Sequence, residues 1–317
     1  MVTVLLRRFG GLVLTLVISS FVIFAGMYAA PGDPVTFLIG NPENLTPDRI
    51  AAVRAEYHLD QPFLAQYALW ATGVLRGDLG TSMFYQQPVS DLLSSRLPMT
   101  LTLVAMASVL FILIGVGFGV LSALRRGTAV DSAVTGFTTF INSVPNFVIG
   151  LVLVAIFAVQ LRWFPVAGDG EGFADRLYHL TLPAISLALG SIALISRVTR
   201  QTMVEQQSLD HVEAARSYGL STRQIVLRHV LRNSLGPVVT MCGLVVAGML
   251  AGTVVIESVF GLNGLGGLLV EAINTHDFPV VQAILLYMVI GYMVVTILVD
   301  LAYPLLDPRS LARSDRS

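Results

Sequence analysis

The sequence predicts an all-α, polytopic membrane protein with six transmembrane helices and a partly helical extracytoplasmic loop. Three observations lead there. Of the 317 residues, 55% are hydrophobic and only 12% are charged, and the mean hydropathy is +0.76. A soluble globular domain carries about 25% charged residues, so the deficit points to a hydrocarbon solvent before any motif is read. Six charge-poor runs come close to or exceed the roughly 20 residues that cross a bilayer core. Arginines then fall unevenly between those runs.

The first run, residues 9–30, follows Arg7 and Arg8. It is longer than the apolar core of a cleaved signal peptide, about 7–15 residues, and reads as a retained signal anchor. Residues 31–96 form the long external loop. Within it, Thr46 and Pro47 read as the N-cap and first residue of a helix to about His58. Asp60, Gln61 and Pro62 open a second helix, in which Phe63, Tyr67, Trp70 and Val74 share one face. That face is expected to pack on the bundle or to lie in the outer interface, where aromatic rings are favoured.

The second run is residues 97–124. The third, 132–161, holds Pro145, which predicts a kink or a broken helix. The fourth, 177–196, is the least regular, with His179 and Pro183 near its start. The fifth and sixth are 233–256 and 278–299. "GVGFG" at 115–119 lies inside an apolar run without strand or helix-start context, so it reads as close helix packing, as do Gly248 and Gly252.

Orientation follows from the excess of positive charge on the cytoplasmic side. Arg7, Arg8, Arg125, Arg126, the six arginines from Arg197 to Arg232, and Arg309, Arg313 and Arg316 share one side. The other side holds Arg49, Arg54, Arg76, Arg96, Arg162 and Arg176, and residues 257–277 hold none. Both termini are therefore expected in the cytoplasm. The chain divides into a tail and first span (1–30), the external loop (31–96), a five-helix core (97–304) containing a cytoplasmic loop at 198–235, and a C-terminal tail (305–317).

That cytoplasmic loop holds the most informative stretch, "VEAARSYGLSTRQIVLRHVLRNSLGP" at 212–237. Ser208 can cap a short helix to about Tyr218. Leu209 and Val212 then fall on one face, and Asp210, Glu213 and Ser217 on another. Gly219 suits the left-handed residue that ends a helix, with Leu220 as its apolar companion. Ser221 and Gln224 form a capping box for a second helix through Ile225, Leu227, Arg228 and Leu231 towards Pro237. The result is helix, tight turn, helix: an elbow able to receive a push and pass it to the fifth span.

Other chemistries lack their residues. All 19 basic residues are arginine, so the chain has no Walker A lysine and no Schiff-base lysine. Cys242 is the single cysteine and reads as a small apolar residue. None of His58, His179, His211, His229 and His276 sits at metal-ligand spacing with a carboxylate. A net charge of -1 without a clustered basic surface argues against nucleic acid. Glu257 and Asp300 lie near span ends, and the spans offer little for ion coupling. If the chain transports, a partner supplies the energy.

"EAARSYG", followed by a leucine-rich arginine segment ending in proline, resembles the loop of permease subunits in binding-protein-dependent ABC importers, and more narrowly the dipeptide/oligopeptide/nickel group. The resemblance extends over "PGDP" (31–34), "HLDQPFLAQYALWATGVLRGDLG" (58–80), "SVPNF" (143–147), "IESVFGLNGLGGLL" (256–269), "DFPVVQA" (277–283) and "LLDPRS" (305–310). The long first external loop is similar to that of the first of the two permeases in these systems. Tyr218 stands where lysine is common, and Gly236 where a larger apolar residue is common.

The resemblance implies an ABC importer permease fold in the bacterial cytoplasmic membrane, with a homologous second permease as the other wall of the path. It implies two cytoplasmic ATPases, which would hold ATP and Mg, and an extracytoplasmic substrate-binding protein. No cofactor is expected in this chain itself, and lipid is its remaining partner. Asp210, Glu213, Ala214, Ala215, Arg216, Gly219, Leu220 and Ser221 would form the ATPase-coupling surface. Short peptides are the implied substrates, with nickel or another small solute as the alternative cargo of the same machinery. A stand-alone secondary transporter is the rival from another class.

Overall fold

The computed structural model describes residues 2–29, 46–47, 50–51, 54 and 60–306. Among these the elements are helical, apart from one isolated bridge between Thr81 and Pro88. In chain order they are α1 (Val2–Ala29), α2 (Phe63–Leu75), α3 (Val89–Leu124), α4 (Ala129–Asn142), α5 (Asn146–Gln160), α6 (Gly172–His179), α7 (Thr181–Gln207), α8 (Asp210–Ser217), α9 (Thr222–Phe260), α10 (Leu265–Asn274) and α11 (Phe278–Leu306). Five are long and apolar enough to cross a membrane, or six when α4 and α5 count as one broken span. These correspond to the six runs read from the sequence. The helix expected up to His58 and the tail at 307–317 lie largely or wholly outside the described residues. Pro47, Ile50, Ala51 and Arg54 are helical, and the Ile50 N–H donates to the Thr46 carbonyl at 2.9 Å.

The third span breaks where Pro145 predicts. α4 closes as the Ser143 and Val144 amides bond back to Phe140 and Ile141, both at 3.1 Å. Pro145 has no N–H and disfavours helical backbone in the residue before it. α5 starts afresh from the Pro145 carbonyl, which accepts from Val148 at 2.9 Å and Ile149 at 3.2 Å. The two helices are bent by 97°.

The ends of the other spans differ from the sequence reading. α3 begins at Val89, ahead of the apolar run, and contains Pro98. The fourth run resolves into α6 and a separate α7, which continues past Ser196 to Gln207. Pro183 is tolerated because it lies in the first turn of α7, where the amide has no intrahelical partner in any case.

The chain divides into two compact units, Met1–Pro98 with Gly267–Ile290, and Met99–Gly266 with Gly291–Ser317. In the first unit, α2 lays its aromatic face on α1. Phe24 is buried, with ring centroids 5.5 Å from Phe63, 5.7 Å from Tyr67 and 5.5 Å from Trp70. Tyr67 and Ser20 share a hydroxyl hydrogen bond of 2.8 Å. The face read from the sequence thus packs on the first span. In the same unit, the buried Asp277 carboxylate accepts from the Ser82 hydroxyl and from the Met83 and Phe84 amides, both at 3.2 Å. Next to it, burial first and the Glu271 carboxylate second push the Tyr85 phenol up to about 12.

The second unit holds the main apolar core, with Leu103, Ala107 and Phe111 of α3, Leu187 and Ile195 of α7, and Ile256 and Phe260 of α9. Between helices in lipid, small residues permit the close approach on which packing depends. "GVGFG" supplies it at two positions. A Cβ at Gly119 would stand 2.4 Å from the Thr199 Cβ and 2.7 Å from the Ser196 carbonyl, and one at Gly115 would meet Ile195 at 3.1 Å. Gly117 and Gly248 face open space, and Gly252 meets Leu187 only at an ordinary 3.4 Å, so the packing role expected of Gly248 and Gly252 is not observed. Gly119→Ala is expected to destabilise the protein by about 1–3 kcal/mol through overpacking, read as a lower unfolding temperature in detergent. Gly117→Ala, made alongside it, should leave that temperature unchanged or slightly raised.

Candidate coupling site

Between α7 and α9 the chain folds into the elbow. α7 ends at Gln207, and the Ser208 hydroxyl donates back to the Glu205 carbonyl at 2.8 Å. Ser208 therefore closes α7 and does not cap α8, whose N-cap is the extended Leu209. The sequence reading missed this because α7 runs further than its apolar stretch.

α8 ends as its sequence demands. Gly219 takes φ +76°. Its amide donates to Arg216 at 2.9 Å, and the Leu220 amide to Ala215 at 3.3 Å, which is the paired closure of a left-handed helix end. The capping box follows directly. Gln224 N–H donates to the Ser221 hydroxyl at 3.4 Å, and Ser221 N–H donates to the Gln224 side chain at 3.0 Å. From Thr222 the chain is helical without interruption, through a π-helical stretch at Ile225–Leu231 and across Pro237, to Phe260. The second limb of the elbow and the fifth span are thus one helix.

An apolar cluster sits beneath the elbow. Val212 and Ala215 of α8 are buried with Ala123 of α3, Met203 of α7, and Ile225 and Val230 of α9. The inward face of α8 is therefore Val212 with Ala215, three residues apart, and Leu209 stays 45% exposed. Among the coupling residues read from the sequence, Asp210, Glu213, Ala214, Arg216, Gly219, Leu220 and Ser221 are exposed together on the elbow. Ala215 is buried and anchors it from below. A shallow cleft of about 560 Å³ runs along the elbow, lined by Gln207, Ser208, Leu209, Glu213, Arg216 and Ser217. Tyr218 projects beside it, 86% exposed.

One further tie escaped the sequence reading. The Asn233 amide donates to His229 O at 2.7 Å and to His211 Nε2 at 3.3 Å, joining α8 to α9. Nothing in the local pattern around either residue signals it.

A chain whose described elements are helical, with these spans and a capped elbow between the fourth and fifth of them, fits the membrane-embedded subunit of a transport system. Family models narrow the class: that of the binding-protein-dependent transport system inner membrane component matches residues 115–311, and that of its N-terminal membrane component matches residues 1–104. The chain belongs to this family, the permeases of ABC importers, and is an integral inner-membrane protein.

It is 39% identical over 308 residues to a probable peptide ABC transporter permease of Sinorhizobium fredii, covering 96% of this chain and 98% of the relative. It is 37% identical over 305 residues to an oligopeptide transport system permease of Bacillus subtilis, covering 94% and 95%. A glutathione transport system permease of Salmonella paratyphi A is 37% identical over 313 residues, covering 97% and 98%. Among solved structures, the inward-facing MetNI methionine ABC transporter matches with a TM-score of 0.57 at 18% identity, over 68% of this chain and 96% of that one. That likeness shows the shared fold.

Proposed function

We propose that this chain is the first-type permease of an importer of short peptides, driven through the elbow by cytoplasmic ATPases. One observation carries the coupling role. The elbow presents Asp210, Glu213, Arg216 and Ser221 outward while Val212 and Ala215 fix it to α3, α7 and α9. A surface held this firmly can transmit a displacement, and α9 leads from it into the membrane as one helix. The peptide substrate is supported by the names of near full-length relatives, which are those of peptide, oligopeptide and glutathione permeases. The arginine distribution supports cytoplasmic termini, which puts the elbow on the ATPase side. A second permease completes the path, two ATPases bind ATP and Mg below, and an extracytoplasmic binding protein delivers the substrate from above.

Gentle affinity purification from native membranes tests this reading. Two ATPases, one further permease and a binding protein are the expected companions, and the ligand held by that binding protein identifies the cargo. A peptide there supports the proposal, whereas a nickel chelate or another small solute moves the cargo to the alternative. Uptake by the purified chain alone under an ion gradient would overturn the coupled reading.

A further inference from the structure

Asp131 near the start of α4 and Arg200 of α7 are 69 residues apart in sequence and meet as a forked ion pair. Arg200 Nε donates to Asp131 Oδ1 and Nη2 to Oδ2, both at 2.8 Å. The Ser122 hydroxyl of α3 donates to Oδ1, and the Gly127 amide donates to Oδ2 at 3.0 Å. Asp131 is 6% exposed. The carboxylate thus ties the end of α3, the start of α4 and the C-terminal third of α7 together.

Its place in the fold gives the pair a further meaning. One turn along α7 from Arg200, Met203 is buried in the cluster that holds Val212 and Ala215 of α8. In the other direction, α4 runs from Asp131 to the break at 143–145, where the span bends by 97°. Beside the pair, a cavity of about 430 Å³ opens between the helices, lined by Ser122, Thr135, Thr138, Ser196, Arg200 and Gln201 among others. The pair borders this opening, with Thr135 and Thr138 of α4 across it from Ser196 and Gln201 of α7. Asp131 is buried, but a third of the Arg200 side chain stays exposed, and a pair so placed adds little to stability by charge attraction alone. A bidentate fork does fix the orientation of one helix against another.

We propose that the Asp131–Arg200 pair is a strut that carries movement of the elbow to the broken third span. It would position the translocation path as well as hold the fold. The proposal rests on the reading of α8 as the ATPase-docking element.

The test uses the complete transporter in vesicles, with its binding protein and a peptide that the binding protein carries. Both peptide import and ATP hydrolysis are measured. Asp131→Asn and Arg200→Gln should retain ATPase association and hydrolysis to within about twofold. Peptide imported per ATP should fall about tenfold, within the usual span of coupling between sites. The exchanged pair, Asp131→Arg with Arg200→Asp, should recover part of that ratio, since the link is rebuilt while the Ser122 hydroxyl and the Gly127 amide lose their acceptor. An unchanged ratio in both single variants overturns the proposal, as does an exchanged pair no better than the singles. Loss of the ATPases from the single variants also overturns it, because the pair would then serve the docking surface itself. If a single variant fails to accumulate, the exchanged pair decides alone: coupled import supports the strut, and hydrolysis without import removes it.

Discussion

Gly219→Pro is expected to abolish uptake, by more than about tenfold, while the chain still inserts in the membrane at its normal level. The backbone at Gly219 has φ +76°, and proline is locked near -65°. The substitution also removes the amide that donates to Arg216 at 2.9 Å, and it displaces the Leu220 amide from Ala215. The two limbs of the elbow then lose the turn that sets their angle, and Glu213 and Arg216 lose their register with Ser221. Space is not the issue, because a Cβ at Gly219 would meet nothing within 4 Å. Gly219→Ala is therefore the control. It should cost only the left-handed penalty of about 1–2 kcal/mol and should retain part of the uptake. The spans lie outside the turn, so surface accessibility and membrane yield should match the unmodified protein in both variants. Normal uptake by Gly219→Pro would sink the elbow as the coupling element.

Features such as this one were legible in the sequence because their demands are local. Gly219 announces a left-handed residue, Ser221 and Gln224 announce a capping box, and Pro145 announces a break. Each is satisfied within a few residues of itself. Helix ends were less legible. Charge marks where a chain can leave hydrocarbon, but not where its helix stops, so α7 continues to Gln207 and α9 starts as early as Thr222. Which residues face inward was less legible still. The sequence places Leu209 on one face with Val212, yet Leu209 precedes the first turn of α8, and the buried companion is Ala215, three residues on from Val212. Gly119 and Gly248 look alike in an apolar run, and only the rotation of their helices decides that one meets α7 and the other meets nothing. The Asp131–Arg200 pair had no local signature at all, since its partners come from distant parts of the chain.

Glu257→Ala is expected to have the largest effect on stability of any single change at a span end. Glu257 is fully buried at the end of α9, and the sequence marked it only as a carboxylate near a boundary. Its Oε1 accepts from the Thr100 hydroxyl at 2.7 Å and its Oε2 from the Gly266 amide at 2.7 Å. Thr100 Oγ1 in turn accepts from the Leu265 amide at 2.8 Å. The carboxyl group so fills the turn between α9 and α10 that a Cβ at Gly264 would fall 2.3 Å from it. Truncation leaves the Thr100 hydroxyl and the Gly266 amide buried without this acceptor, at about 1–3 kcal/mol each, and opens a void besides. A loss on the order of several kcal/mol should lower the unfolding temperature in detergent by at least about 5 °C. Glu257→Gln should fall between, because its amide keeps one acceptor oxygen for Thr100 while its NH2 faces the Gly266 amide. That ordering, alanine below glutamine below glutamate, separates a hydrogen-bonded plug from simple space filling. Space filling would make glutamine equal to glutamate, and that result would remove the role assigned to the carboxylate. By the proposed topology this turn faces the binding protein. Uptake should then follow the same order among variants compared at equal membrane yield.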